Sequence, residues 1–207
     1  MSGGVSAGVT AACTIAARRL GAWLLRPEAG WRAAALLVAG LVLVAGKQAY
    51  RDASASDLSF LLAPTAELVS LVCGTDFVHE AGTGWVSREL MFIIAPACAG
   101  VNFALAAFLA LTLGWLGTIR TGRDLAARLL AASVLTYAAA LVVNTVRITI
   151  AIALHRGALP DGGLTPDDVH RIEGVLIYAG GLCAFYRLAR GGRGGRGRER
   201  AEHAAAA

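Results

Sequence analysis

The chain has 207 residues, is 57% hydrophobic and carries a formal charge of +5, with a mean hydropathy of +0.61. A soluble domain of this length is nearer half apolar and far less hydropathic, so composition excludes an ordinary water-soluble globule and predicts one integral membrane domain. Lys47 is the single lysine and every other basic residue is arginine; such a balance can mark nucleic-acid binding, but here the arginines follow membrane topology, and no nucleic-acid partner is expected.

Residues 1–32 read as a cytoplasmic N-terminal segment rather than a cleaved signal, because Arg18, Arg19 and Arg26 follow the first apolar stretch instead of preceding it. A membrane-embedded domain then covers 33–189. Its predicted spans are Ala33–Tyr50, Cys98–Leu116, Arg128–Ile150 and Ile172–Leu188, each helical because an open chain in lipid cannot leave backbone groups unpaired. Leu58–Cys73 is short and holds Pro64 and Glu67, so it is expected to be an interfacial or re-entrant helix. The stretch "GTDFVHEAGTGWVSRE" places Trp85 as an interfacial anchor, and "LPDGGLTPDDVH" has turn chemistry followed by a helix start at Thr165-Pro166. The Gly/Arg-rich residues 190–207 read as a disordered basic tail. The expected fold is all-α: about four transmembrane helices plus the interfacial helix.

With the N-terminus in the cytoplasm, four crossings gather Arg18, Arg19, Arg26, Arg32, Arg120, Arg123, Arg128 and the arginines from Arg187 to Arg200 on one side. That is a strong positive-inside bias, which a fifth span at Leu58–Cys73 weakens. The implied location is the cytoplasmic (inner) membrane.

Polar residues in spans are costly and are functional candidates by default. Cys98, in "PACAGVNF", lies 22 residues from Arg120; Arg147, in "NTVRI", lies 19 from Arg128; His170, in "HRIEG", lies 17 from Arg187. At about 1.5 Å per residue these are roughly 33, 28 and 26 Å, so three groups from three helices share one level at the outer edge of the hydrocarbon. A helix N-terminus and a nearby cation favour the nucleophilic thiolate at Cys98. His170 suits proton transfer, and Arg147 suits an oxyanion or a substrate carboxylate. Asn102, Asn144 and Glu173 are the candidate supporting or substrate-binding groups. No metal or other cofactor is expected: in "VHE" the adjacent His79 and Glu80 lack ligand spacing.

The ordered set "PACAGVNF", "NTVRI", "HRIEG", with "LAPTAELVSLVCGTDF" ahead of it, resembles the exosortase/archaeosortase family of membrane cysteine peptidase-transpeptidases, and within it the short subgroup called exosortase K. The resemblance covers roughly Leu58 to Phe185. It implies a catalytic trio of Cys98 as nucleophile, Arg147 stabilising the tetrahedral intermediate and His170 handling protons, at the extracytoplasmic face. It implies as partners exported proteins with a C-terminal sorting tail: a short signature, a transmembrane helix and a basic cluster. The larger family members have more spans, so their signature specificity does not carry over. Two rival readings follow from the residues alone. One is a non-catalytic membrane subunit or assembly factor of an envelope polysaccharide system, in which Cys98 is a packed small hydrophobe. The other is a transporter, which the gathering of polar groups at one level disfavours.

Overall fold

The computed structural model describes residues 28–157, 168–169 and 171–187. These are mostly helical. Helix α1 (Ala29–Arg51) is followed by α2 (Ser59–Cys73), strands β1 (Val78–Glu80), β2 (Gly84–Ser87) and β3 (Phe92–Ile94), α3 (Val101–Trp115) and α4 (Gly122–Arg156). Residues 171–187 form a further helix, α5. Three segments are long and apolar enough to cross a bilayer: Ala29–Arg51, Pro96–Thr118 and Gly122–Arg156. Three of the four predicted spans, Ala33–Tyr50, Cys98–Leu116 and Arg128–Ile150, sit inside these segments; the fourth, Ile172–Leu188, falls on α5 apart from its last residue, which lies outside the described residues. Most of residues 1–32, all of 190–207, and the Thr165-Pro166 helix start lie outside the described residues.

Helix α3 packs against both α1 and α4, and α2 packs against α4. Close approach is bought with glycine: a Cβ at Gly181 would lie 2.9 Å from Val143, and one at Gly46 would lie 2.8 Å from Leu105. Small residues at such crossings let apolar helices pack by van der Waals contact. Two hydroxyls inside the helices bond back to the preceding turn, Thr112 to the Phe108 carbonyl and Thr145 to the Leu141 carbonyl, which satisfies those two donors.

Helix α2 has 15 residues, roughly 22 Å, too short to cross a bilayer. Pro64 lies inside it and has no N–H to give to the carbonyl four residues back. That carbonyl, on Phe60, instead accepts the Tyr137 hydroxyl of α4 at 2.8 Å. The gap left by the proline is thus closed by the neighbouring helix.

The all-α expectation needs one amendment. The connection after α2 folds into a three-stranded antiparallel meander, ordered β1-β2-β3, with Trp85 opposite both His79 and Ile94. Gly84, at φ +125°, is placed so that a Cβ would come 2.4 Å from the Ile94 carbonyl oxygen; only glycine fits there. His79 packs its ring 4.7 Å from that of Trp85, which gives "VHE" a structural use. Trp85 and Ile94 join Leu58, Leu62, Val69, Cys98, Ala99, Ile148 and Ile152 in one apolar cluster. The meander and α2 therefore wall in the segment that leads to Cys98.

Candidate active site

After β3 the chain makes a tight 3-10 turn, Pro96–Cys98, and α3 starts only at Val101. Cys98 was expected to open the helix; instead it ends the turn before it. The break is local: Gly100 takes φ +69° as the residue preceding α3, a left-handed conformation that glycine adopts without a Cβ penalty. No side chain caps α3, so the partial positive charge of its N-terminus faces the Cys98 turn. Cys98 is 9% exposed and is a free thiol, as are Cys73 and Cys183.

Helix α4 supplies the groups that meet this turn. Asn144 and Arg147 are three residues apart, hence on one face, and both are buried. The Asn144 side-chain amide donates from Nδ2 to the Cys98 backbone carbonyl. Its Oδ1 accepts the Tyr178 hydroxyl of α5 at 2.9 Å. Arg147 reaches the same hydroxyl from Nη1 at 3.4 Å and lies 5.2 Å from the Tyr178 ring centroid. The guanidinium is within electrostatic reach of Tyr178, Cys98 and Glu173. Two helices, α4 and α5, and the turn before α3 are thus joined by one largely buried polar network, the kind of arrangement that fixes a single geometry.

Two glycines make room for it. A Cβ at Gly100 would lie 3.3 Å from the Asn144 carboxamide, and one at Gly174 would lie 3.0 Å from Arg147 Nε. The glycine of "HRIEG" is therefore where α5 lets the arginine pass.

The sequence candidates divide as follows. Cys98, Asn144 and Arg147 come together, and Glu173, 8% exposed, lies within electrostatic reach of Arg147. Asn102 points elsewhere: its Oδ1 accepts Lys47 Nζ of α1 at 2.8 Å. His170 lies outside the described residues. Tyr178 was missed. Its signal was present, since it lies four residues after Gly174 and so one turn along the same face of α5.

Chemically, the arrangement sets a thiol beside a helix N-terminus and a cation that stays charged, with the thiol's own backbone clamped. Compared with known proteins, the chain matches no family model, no curated protein and no solved structure.

Proposed function

We propose that this chain is an exosortase-like cysteine peptidase-transpeptidase of the inner membrane, crossing it four times and cleaving the C-terminal sorting tails of exported proteins at the extracytoplasmic face. The observation that carries the reading is the bond from Asn144 to the Cys98 carbonyl, with Arg147 three residues further along the same helix. Two motifs far apart in sequence meet at the cysteine, and a merely packed thiol would not need a clamped backbone and a buried arginine beside it.

In this mechanism the Cys98 thiolate attacks the carbonyl carbon of the scissile peptide. Negative charge develops on the carbonyl oxygen, where Arg147 meets it; such donors are worth about 10²–10³ in rate. The C–N bond breaks, and the leaving amine takes its proton from His170, the acid that the family resemblance assigns. The product is an S-acyl thioester on Cys98. An acceptor, water or an amine, then attacks the thioester carbon, gives its proton to His170 and restores the thiolate. Asn144 and Tyr178 hold the geometry without entering these steps. No cofactor takes part in this scheme.

The test is alkylation. With Cys13, Cys73 and Cys183 replaced by serine, a membrane-impermeant thiol reagent is added to intact cells or spheroplasts expressing the protein. Cys98 is expected to label from outside, and to label more slowly once Arg147→Ala removes the neighbouring cation. Labelling only after the cytoplasmic side is opened would reverse the topology. No labelling on either side in detergent would leave Cys98 a packed core residue and favour the scaffold reading.

A further inference from the structure

Two cations of this chain have no reason in its topology. Lys47 and Arg51 lie one turn apart near the end of α1, hence on one face, and like charges so placed repel each other. On the four-crossing topology proposed above they sit at the extracytoplasmic end, where the positive-inside rule does not ask for basic residues. With Gln48, Tyr50, Pro96 and Ala97 they line a cleft of about 630 Å³ beside the Cys98 turn, within the range of about 300–1,000 Å³ usual for ligand sites. Among the described residues its wall holds no carboxylate. Asn102 of α3 accepts Lys47 Nζ at 2.8 Å, which fixes the ammonium and leaves it further N–H donors for a ligand.

Tyr50 and Ala53 also line a second cavity, of about 380 Å³. Its wall is almost wholly apolar; it runs along α1 from Val42 to Tyr50, roughly 12 Å, and faces Leu61, Leu105 and Phe108. Val42 and Phe60 on this wall are exposed, so in a bilayer the groove opens to lipid. Among the described residues its one carboxylate is Asp57, which the Ser54 hydroxyl and amide engage. The volume decides what can fill the groove. A helix is about 10–12 Å across, so a two-turn stretch of one takes roughly 1,000 Å³, more than twice the space. A single extended hydrocarbon chain is the apolar body that fits.

We propose that Lys47 and Arg51 hold the phosphate of an anionic phospholipid, one of whose acyl chains lies in the groove between α1 and α3. Two cations without a carboxylate in the wall attract an anion, and basic pockets between membrane helices take lipid headgroups for that reason. Arg51 offers phosphate oxygens a planar fork, and Lys47 offers a point charge. The acyl chain meets the groove wall by van der Waals contact. Tyr50, shared by both cavities, stands where an aromatic ring with a polar tip belongs, at the boundary of head and chain. A lipid so placed bridges α1 to the Pro96–Ala97 wall and braces the turn that carries Cys98. The site stands whether or not Cys98 reacts.

The test is lipid retention by the purified full chain, read by native mass spectrometry from detergent micelles. The probes are phosphatidylglycerol and phosphatidylcholine with identical acyl chains. One phosphatidylglycerol is expected to stay bound at about a tenth of the concentration that phosphatidylcholine needs, a preference that two basic groups at a membrane surface supply. Phosphatidylglycerol is also expected to raise the thermal unfolding midpoint above that in phosphatidylcholine, since a ligand of the folded state stabilises it. Lys47→Gln/Arg51→Gln is expected to bring phosphatidylglycerol down to the phosphatidylcholine level. The exchange Lys47→Arg/Arg51→Lys keeps both charges and is expected to keep most of the preference. Ala49→Phe, at an exposed position on the groove wall, fills the groove without touching the charges and is expected to weaken both lipids. Equal retention of the two lipids by the parent overturns the proposal, as does a preference that the glutamine pair leaves unchanged. A preference lost as fully in the charge-keeping exchange as in the glutamine pair overturns it too, because charge was then not the cause. Unaltered retention in Ala49→Phe, with inorganic phosphate displacing phosphatidylglycerol, makes the cleft a soluble-anion site and likewise ends the lipid reading.

Discussion

The two ends of the helical body are built differently. At one end Ala39, Phe108, Leu111, Trp115 and Ala132 form an apolar cluster. Arg128 lies 5.4 Å over the Trp115 ring there. Thr121 caps α4 by a reciprocal pair with Asp124, so that helix terminus is closed by its own sequence. At the other end a comparable apolar cluster holds Cys98, but the Asn144–Tyr178–Arg147 network meets the Cys98 backbone there, and the helix start beside the cysteine is left without a side-chain cap. The first end spends its residues on closure. The second keeps a helix N-terminus and a cation next to a thiol, which stability alone does not require. The contrast is the physical argument for function at the Cys98 end.

The largest effect that sharpens this contrast is on activity. Cys98→Ala is expected to abolish formation of a hydroxylamine-sensitive acyl adduct with tailed proteins, while the midpoint of thermal unfolding in detergent stays near the parent's. If the adduct persists, the nucleophile is elsewhere. Arg147→Lys keeps the charge but loses the planar fork and its stack on Tyr178. Turnover should fall about 10²–10³-fold, read as the rate of adduct formation under single-turnover conditions. An unchanged rate would reduce Arg147 to a helix tie.

At the Trp115 end the sign reverses. Leu111→Ala removes a side chain only 1% exposed and should cost about 2–5 kcal/mol of stability, with the rate per folded molecule unchanged; a rate change at constant fold would erase the distinction between the ends. Smaller is Tyr178→Phe, which takes the hydroxyl from Asn144 and Arg147. Buried hydrogen bonds between membrane helices average about 0.6 kcal/mol, so unfolding should shift little while adduct formation slows measurably.

The smallest effect lies outside both ends. Between α1 and α2 the Asp57 carboxylate accepts the Ser54 hydroxyl at 2.7 Å and the Ser54 amide at 2.9 Å. The hydroxyl first and the amide second hold its pKa below the usual carboxylate value of 3.8. A carboxyl depressed on folding adds stability above its unfolded pKa and loses it as pH falls through the folded value. Asp57→Asn should therefore lower the unfolding midpoint slightly at pH 7 and leave it unchanged once the parent's Asp57 is protonated, at the acid end of a midpoint-against-pH series. Full exposure keeps the effect small.

Long apolar helices and their approximate limits were legible from composition and run length, because bilayer thickness imposes a length that a one-dimensional string records. The shortness of Leu58–Cys73 was legible for the same reason. Cys98, Asn144 and Arg147 were legible as polar residues where polar residues are expensive. The meander was not. Its strands are three or four residues long, and their pairing is set by Gly84 fitting under the Ile94 carbonyl, a contact between chain segments rather than a period. The Tyr137 bond to the carbonyl freed by Pro64 was hidden likewise, since a proline announces a missing donor but not which helix replaces it. Residue type and order alone determined a helical, strongly apolar chain with a few polar residues set in its apolar stretches. Which of them touch was decided only in three dimensions. Asn144 turned to the Cys98 carbonyl, Asn102 to Lys47, and Tyr178 came to lie between Asn144 and Arg147, because side-chain partners depend on how helices rotate and cross, and close packing at glycines sets that rotation.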